Sequence, residues 1–320
     1  MARNDQNRQK DKDAQLANVA LLYYGEGLTQ SEIAKRIGVS RPTVVNMLKD
    51  CRDRGIVEIR VGGDVLSGSN LSRQLCERFG LQDAYVAQVS GSKSRADMLT
   101  QVARVGAMAV GDVVRSGDLV GVAWGETIKA VSLAMPQCEF QDVTVCQMIG
   151  SMVSDRVPTS EDCSIRIANS LNGECYTLHA PAVLSTAELA HQLRQEPTIA
   201  AQLKRLQNLD VAVFSVGNTE MDTHLVAAGI ADEMELLAAL RSGAKGIVCG
   251  RYVSFAGRGM DLPPEDRLIA IELEHLRQAH RKLLIATGAD RVDAVRAALA
   301  GDLVTHLCVD DAMAEALLGQ

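Results

Sequence analysis

Arg41, Thr43, Asn46, Met47 and Lys49 fall on the outer side of one short helical stretch, and most are residue types that read the edges of DNA bases. Arginine can donate to O6 and N7 of guanine together, asparagine can pair with adenine in the same two-point manner, and a threonine methyl can meet thymine. Ser40 and the amides it would cap suit a phosphate. A second set of residues lies in three loops, each following an apolar run. In VGVAWGETIK (120–129) the run ends at Trp124 and Gly125, and Glu126 and Thr127 open a helix. Free amides and the Thr127 hydroxyl there form a seat for a phosphate or a polyol, unless Thr127 simply caps a tight turn. In IGSMVS (149–154) Gly150 and Ser151 stand in the same relation to a strand. In ATGADR (286–291) Gly288 precedes Asp290 and Arg291. A cation at the start of a helix opposes its dipole, which calls for an anionic partner or a surface salt bridge.

The first set needs two helices and a tight turn to present it, and TQSEIAKRIGVSRPTVVNMLK (29–49) supplies them. Thr29 and Glu32 have the spacing of a capping box, and Ile33, Ala34 and Ile37 share one face. Gly38 allows the positive φ that leaves the helix. Ser40 then caps a second helix with Pro42 in its first turn, and Val44, Val45 and Leu48 are expected to pack inward. Thr29 and Ser31 complete the candidate DNA contacts with Ser40, Arg41, Thr43, Asn46 and Lys49. An amphipathic helix carrying Leu16, Val19, Ala20, Leu22 and Tyr23 precedes the pair and ends at Gly25 and Gly27. The second helix of the pair runs on to Arg54 and stops at Gly55. Residues 56–61, IVEIRV, alternate like a short strand and could form a wing. The alternative to a helix-turn-helix is a capped helical hairpin within an ordinary core.

A chain of 320 residues with 47% hydrophobic and 23% charged residues is globular and long enough for two domains. The net charge of −7 is unevenly spread: residues 1–61 hold 11 Lys or Arg against 8 Asp or Glu, and the remainder holds 22 against 32. A basic small module on an acidic large one fits local phosphate contact. The expected division is a DNA-binding domain at 1–61 with a disordered polar start of about 12 residues, a linker GGDVLSGSN at 62–70, and an effector and oligomerisation domain at 71–320. With no apolar leader or membrane-length run, a cytoplasmic location follows as an expectation. The eight cysteines form no C-x-x-C pair and read as buried reduced thiols.

From Leu71 onward strand-like and helical runs alternate, which calls for a doubly wound, largely parallel α/β sheet. The expected strands are 84–89, 119–124, 143–149, 175–179, 211–216, 246–253, 268–273, 283–287 and 305–309. Helices are expected over 94–115, 161–171, 234–242, 291–300 and 311–318. In such a sheet a ligand lies beyond the carboxyl ends of the strands, where all three loops open. No nucleophile elbow, zinc-binding H-E-x-x-H, Walker lysine or complete G-x-G-x-x-G occurs, and SVGN (215–218) is too short to count. His179, at the end of a strand, reads as structural. No catalytic residue, cofactor or metal is expected.

The order of parts resembles the SorC family of bacterial sugar-responsive transcription regulators, sometimes grouped under a DeoR-type name. The resemblance rests on LLYYGEGLTQSEIAKRIGVSRPTVVNMLKDCRDRGIVEI, then VGVAWGETI, LHAP (178–181), SVGN, GAKGIVCGRYV (243–253) and the closing LLIATGADRVDAVRAALAGDLVTHLCVDDAMAEALL, in that order. It implies an effector domain similar in fold to sugar-phosphate isomerases, binding sugar phosphates or related carbohydrates without turnover in a dimer or tetramer. By position, Trp124, Gly125, Glu126 and Thr127 would meet the ligand, with Gly150, Ser151, Gly288, Asp290 and Arg291 around it. Three residues depart from the family pattern: Arg291 replaces a common lysine, Thr287 a glycine, and Ile247 an acidic residue. The expected partners are double-stranded operator DNA and a carbohydrate effector. The reading is a regulator, a repressor among the possibilities, rather than an enzyme; the alternatives are an isomerase or deaminase with an accessory helix-turn-helix, or a module used for dimerisation.

Overall fold

A computed structural model describes residues 12–57, 69–89, 94–152, 159–220 and 223–319. The chain divides into two compact units, Met1–Val61 and Gly62–Gln320.

In the smaller unit α1 (12–20) runs on into a single π-helical turn, Leu21–Gly25. α2 (Gln30–Ile37) and α3 (Arg41–Asp53) follow. The starts of both helices are capped by the chain's own side chains. Thr29 and Glu32 close a full capping box on α2, Gly38 leaves it at φ 71°, and Ser40 accepts from the Thr43 amide to start α3. Val19, Leu22, Ile33, Ala34, Val44 and Leu48 form one core, with Leu16, Ala20 and Cys51 beside it. The inward stripe of α3 is therefore Val44, Leu48 and Cys51, spaced i, i+4, i+7. Val45, turned about 100° from that stripe, is 42% exposed, whereas Met47 packs partly against both clusters. The expectation had these two residues the other way round. The expected strand at 56–61 lies outside the described residues from position 58 onward; Ile56 and Val57 pack beside Cys51. The disordered start lies outside them up to residue 11, as does most of the expected linker, whose last residue already belongs to a helix capped by Ser69.

In the larger unit α4 (Asn70–Phe79), β1 (Asp83–Ala87), α5 (Arg95–Val113), β2 (Leu119–Val122), α6 (Glu126–Ala134), β3 (Thr144–Gln147), α7 (Ser160–Ser170) and β4 (Glu174–Tyr176) run in sequence. α8 (Ala187–Gln195) and α9 (Pro197–Arg205) lead to β5 (Val211–Phe214) and β6 (Val216–Gly217). α10 (His224–Ala227), α11 (Glu233–Arg241), β7 (Ala244–Val248) and β8 (Arg251–Ser254) come next. The unit closes with α12 (Leu273–Gln278), β9 (Arg281–Ile285), α13 (Val292–Ala300), β10 (His306–Asp310) and α14 (Asp311–Leu318).

Seven strands form one sheet in the order β1-β10-β9-β5-β2-β3-β4, and every pair in it is parallel. Such strands are buried on both faces, which is why they read as apolar runs rather than alternations. Val86, Phe214, Leu284 and Leu307 face one core, and Val120, Val122, Val213 and Ile285 face the other. From β2 the chain steps outward through β3 and β4, and from β5 it steps the opposite way through β9 to β10, beside which the first strand, β1, forms the edge. The strand order thus reverses between β2 and β5, the place where open α/β sheets hold ligands.

Two expected strands are corrected. The run 246–253 is not one strand but a hairpin of β7 and β8, turned through Cys249 and Gly250, both at positive φ. With β6 it makes a separate antiparallel sheet. The run 268–273 has only isolated bridges, Leu268 to Val183 and Ala270 to Ile149, before α12 begins at Leu273. Its apolar residues fill the cores as a bridging segment, burial that periodicity cannot distinguish from a strand. All eight cysteines are free thiols, five of them buried.

Candidate functional site

In the smaller unit, Ser31, Arg41, Thr43, Asn46 and Lys49 are all exposed. Four of them lie on α3, whose buried face holds it to α2. The hydroxyls of Thr29 and Ser40 are engaged: Thr29 donates to Glu32 at 2.7 Å, and Ser40 Oγ lies 2.7 Å from Thr43 Oγ1. These residues set helix ends, leaving Arg41, Asn46 and Lys49 as the expected contacts on α3 whose side chains do not cap a helix. Gln30, which sequence reasoning did not single out, accepts from Arg41 Nε at 3.4 Å.

In the larger unit a cleft of about 470 Å³ opens at the carboxyl ends of the adjacent strands β2, β5 and β9. Trp124, Gly125, Glu126 and Thr127 form one wall, Ser215 to Asn218 a second, and Arg291 lies at its base. Gly125 has φ 112° and ψ 171°, a conformation essentially confined to glycine. It starts α6 without any side-chain cap. The start of α6, the positive end of its dipole, borders the cleft at Gly125, Glu126 and Thr127.

Arg291 is only 7% exposed, so its charge is carried inside the protein. Its Nη1 donates to Thr127 Oγ1 and to the Thr287 carbonyl, both at 3.4 Å. The loop bearing it is tied down from beneath: Asp310 accepts from Thr287 Oγ1 at 2.7 Å and the Gly288 amide at 3.1 Å, while its other oxygen caps α14. Asp290 accepts from Asn218 Nδ2 at 2.8 Å and pairs with Arg95 at 3.5 Å and with Arg291 Nε at 3.9 Å. The segments that follow β2, β6 and β9, the end of β10 and the start of α5 are joined in this way. The Ser215 hydroxyl is buried and makes no hydrogen bond.

Of the expected ligand residues, Trp124, Gly125, Glu126, Thr127 and Arg291 line the cleft. Asp290 joins it through Asn218 and Arg95, and Gly288 anchors the loop. Gly150 and Ser151 are not among the lining residues. Their amides bind the Ile269 and Ala180 carbonyls, Ser151 Oγ donates to Glu161, and a Cβ at Gly150 would stand 2.5 Å from the Pro181 oxygen. They hold the exit of β3 against its neighbours. Arg95, Ser215, Asn218 and Thr223 line the cleft without having been expected there. SVGN carried a signal for two of them; Arg95, in an ordinary helical run, carried none.

Residues 64–319 match the profile of the sugar-binding domain family, and residues 12–64 that of the MarR family. The chain is similar to the transcriptional regulator YjhU of Escherichia coli strain K12, 36% identical over 99% of this chain and 98% of that one. It is 29% identical to the deoxyribonucleoside regulator of Bacillus subtilis, over 97% and 98% of the two chains. The full-length sorbitol operon regulator SorC of Klebsiella pneumoniae superposes with a TM-score of 0.72 at 26% identity, covering 96% of this chain and 99% of that one. A helix-turn-helix unit ahead of a parallel α/β unit, matched along nearly its whole length, places this chain in the SorC family of sugar-binding transcriptional regulators.

Proposed function

We propose that this regulator binds an operator through α3 and that a carbohydrate bearing an anionic group, seated in the cleft, sets its affinity for DNA. The observation that carries the reading is the buried Arg291 guanidinium beside the uncapped start of α6. Both favour negative charge, and together they make one end of the cleft a phosphate seat. Ser215, Asn218 and Thr223 line the cleft as well, as hydroxyls and an amide suited to a sugar or polyol. Relatives named for sorbitol, erythritol and deoxyribonucleosides fit that chemistry without selecting among them.

The ligand acts by binding one arrangement of the assembly better than the other, which shifts the population competent for DNA. A dimer or tetramer carrying paired α3 helices would meet a palindromic operator. A cytoplasmic location suits a protein that meets both DNA and metabolites, and among the described residues no helix is long and apolar enough to cross a membrane. The test is binding of purified protein to DNA from its own upstream region at fixed salt, with and without a panel of sugar phosphates and free polyols. Release or retuning by a phosphorylated compound, and not by its free counterpart, is the expected result. Turnover of a sugar phosphate with no DNA binding would replace the regulator reading with an enzyme.

A further inference from the structure

We infer that Gln30 is a positioning residue for base recognition: it holds Arg41 by its Nε so that the two terminal guanidinium nitrogens point outward as a fork. This rests on the reading of α3 as the DNA-reading helix. Arg41 is the first residue of α3, where the helix dipole disfavours a cation, so local preference does not place an arginine there. Gln30 is the first residue of α2, and its Oε1 lies 3.4 Å from Arg41 Nε across the turn. The two residues help line a groove of about 550 Å³ with Tyr23, Leu28, Thr29 and Ser31.

The chemistry of the acceptor matters. Arg36 and Arg54 pair with the carboxylates of Glu26 and Asp13, which partly cancels their charge. Arg41 is held instead by a neutral amide, so its full charge stays available to the N7 and O6 acceptors of guanine. At 3.4 Å the contact is at the long end of hydrogen bonding, and it aims the side chain rather than clamping it. With Nε taken, Nη1 and Nη2 remain as the parallel pair that bidentate recognition requires. The Gln30 amide keeps two N–H donors, suited to a phosphate oxygen flanking the base.

The test uses the full-length protein and a library of duplexes with a randomised core, selected at one salt concentration and sequenced. Arg41→Ala should abolish preference at one guanine position in each half-site. Gln30→Ala should lower preference at that same position by about threefold to tenfold and leave the other positions as they were. Gln30→Glu keeps the acceptor but partly cancels the charge of Arg41, so preference there should fall less than with alanine while affinity falls for all sequences alike. The inference is overturned if Gln30→Ala leaves the Arg41-dependent position unchanged, if it weakens every position equally, or if Gln30→Glu loses the position as fully as alanine does. A wild-type library without any selected motif, or Arg41→Ala without effect, would instead remove the reading of α3 beneath it.

Discussion

α3 and α6 begin in opposite ways. α3 starts at Ser40, whose hydroxyl accepts from the Thr43 amide, so the chain satisfies its own helix end and recognition is left to outward side chains. α6 starts at Gly125, which has no side chain to offer, so in the proposed reading recognition there would fall to the backbone at the helix start. The difference matches the proposed partners. A DNA surface is broad and is read by long side chains on a rigid, self-sufficient helix. A small anion in a cleft is held by amides that must stay open until it arrives.

Four perturbations would break or sharpen this contrast. The largest effect is expected from Arg291→Met, which removes the buried charge beneath the open end: effector affinity should fall by about 2–5 kcal/mol, read by calorimetric titration, with ligand-free DNA affinity unchanged. Continued release from DNA by the same ligand concentration would refute the anion seat. Next comes Gly125→Ala. An added Cβ there meets nothing within 4 Å, so the cost is purely one of backbone conformation at φ 112°, about 1–3 kcal/mol in denaturant unfolding of the larger unit. Unaltered stability would mean that the open start is not strained.

On the closed side, Ser40→Ala should cost about 1 kcal/mol in the smaller unit alone, seen as a lower midpoint for its unfolding, while the effector response is retained. The smallest effects are those of acid. Hydrogen bonds from Thr29 hold the Glu32 carboxyl below its ordinary value of 4.5, so the capping box contributes above that pH and its contribution is lost as pH falls through the lowered value. Burial holds His306 in the larger unit below its ordinary value of 6.5. The folded state resists a proton that the unfolded chain accepts, so stability is lost as pH falls below about 6.5 toward the lowered value. Acidification from pH 7 should therefore weaken the larger unit first, and fluorescence melts at stepped pH would show the order.

The same contrast explains what could be read from the sequence. Side-chain caps are written in residue identity, so Thr29 with Glu32, and Ser40 with Pro42, placed α2 and α3 within a residue of their observed ends. The Gly125 loop was visible for a related reason, since a glycine ending an apolar run restricts what the backbone can do. What periodicity left open was the direction of a side chain between two helical faces, hence the exchange of Val45 and Met47. It was also blind to which apolar runs pair as strands, so 268–273 looked no different from β9. The cleft was half legible: Thr127 and Arg291, 164 positions apart, meet only because β2 and β9 flank β5. No spacing along the chain reports that Arg95 and Asn218 converge on Asp290.

β1 occupies an edge of the large sheet and has a single neighbour, β10, so residues 83–87 pair only with 306–310. During synthesis that pairing must wait for nearly the whole chain, whereas α1 to α3 make their contacts within the first 57 residues. The part that meets DNA can therefore finish folding long before the part that meets the metabolite. A chain cut short before β10 would leave the ribosome with its first strand unpaired and its helix pair already formed, a helix-turn-helix without a finished sugar-binding unit.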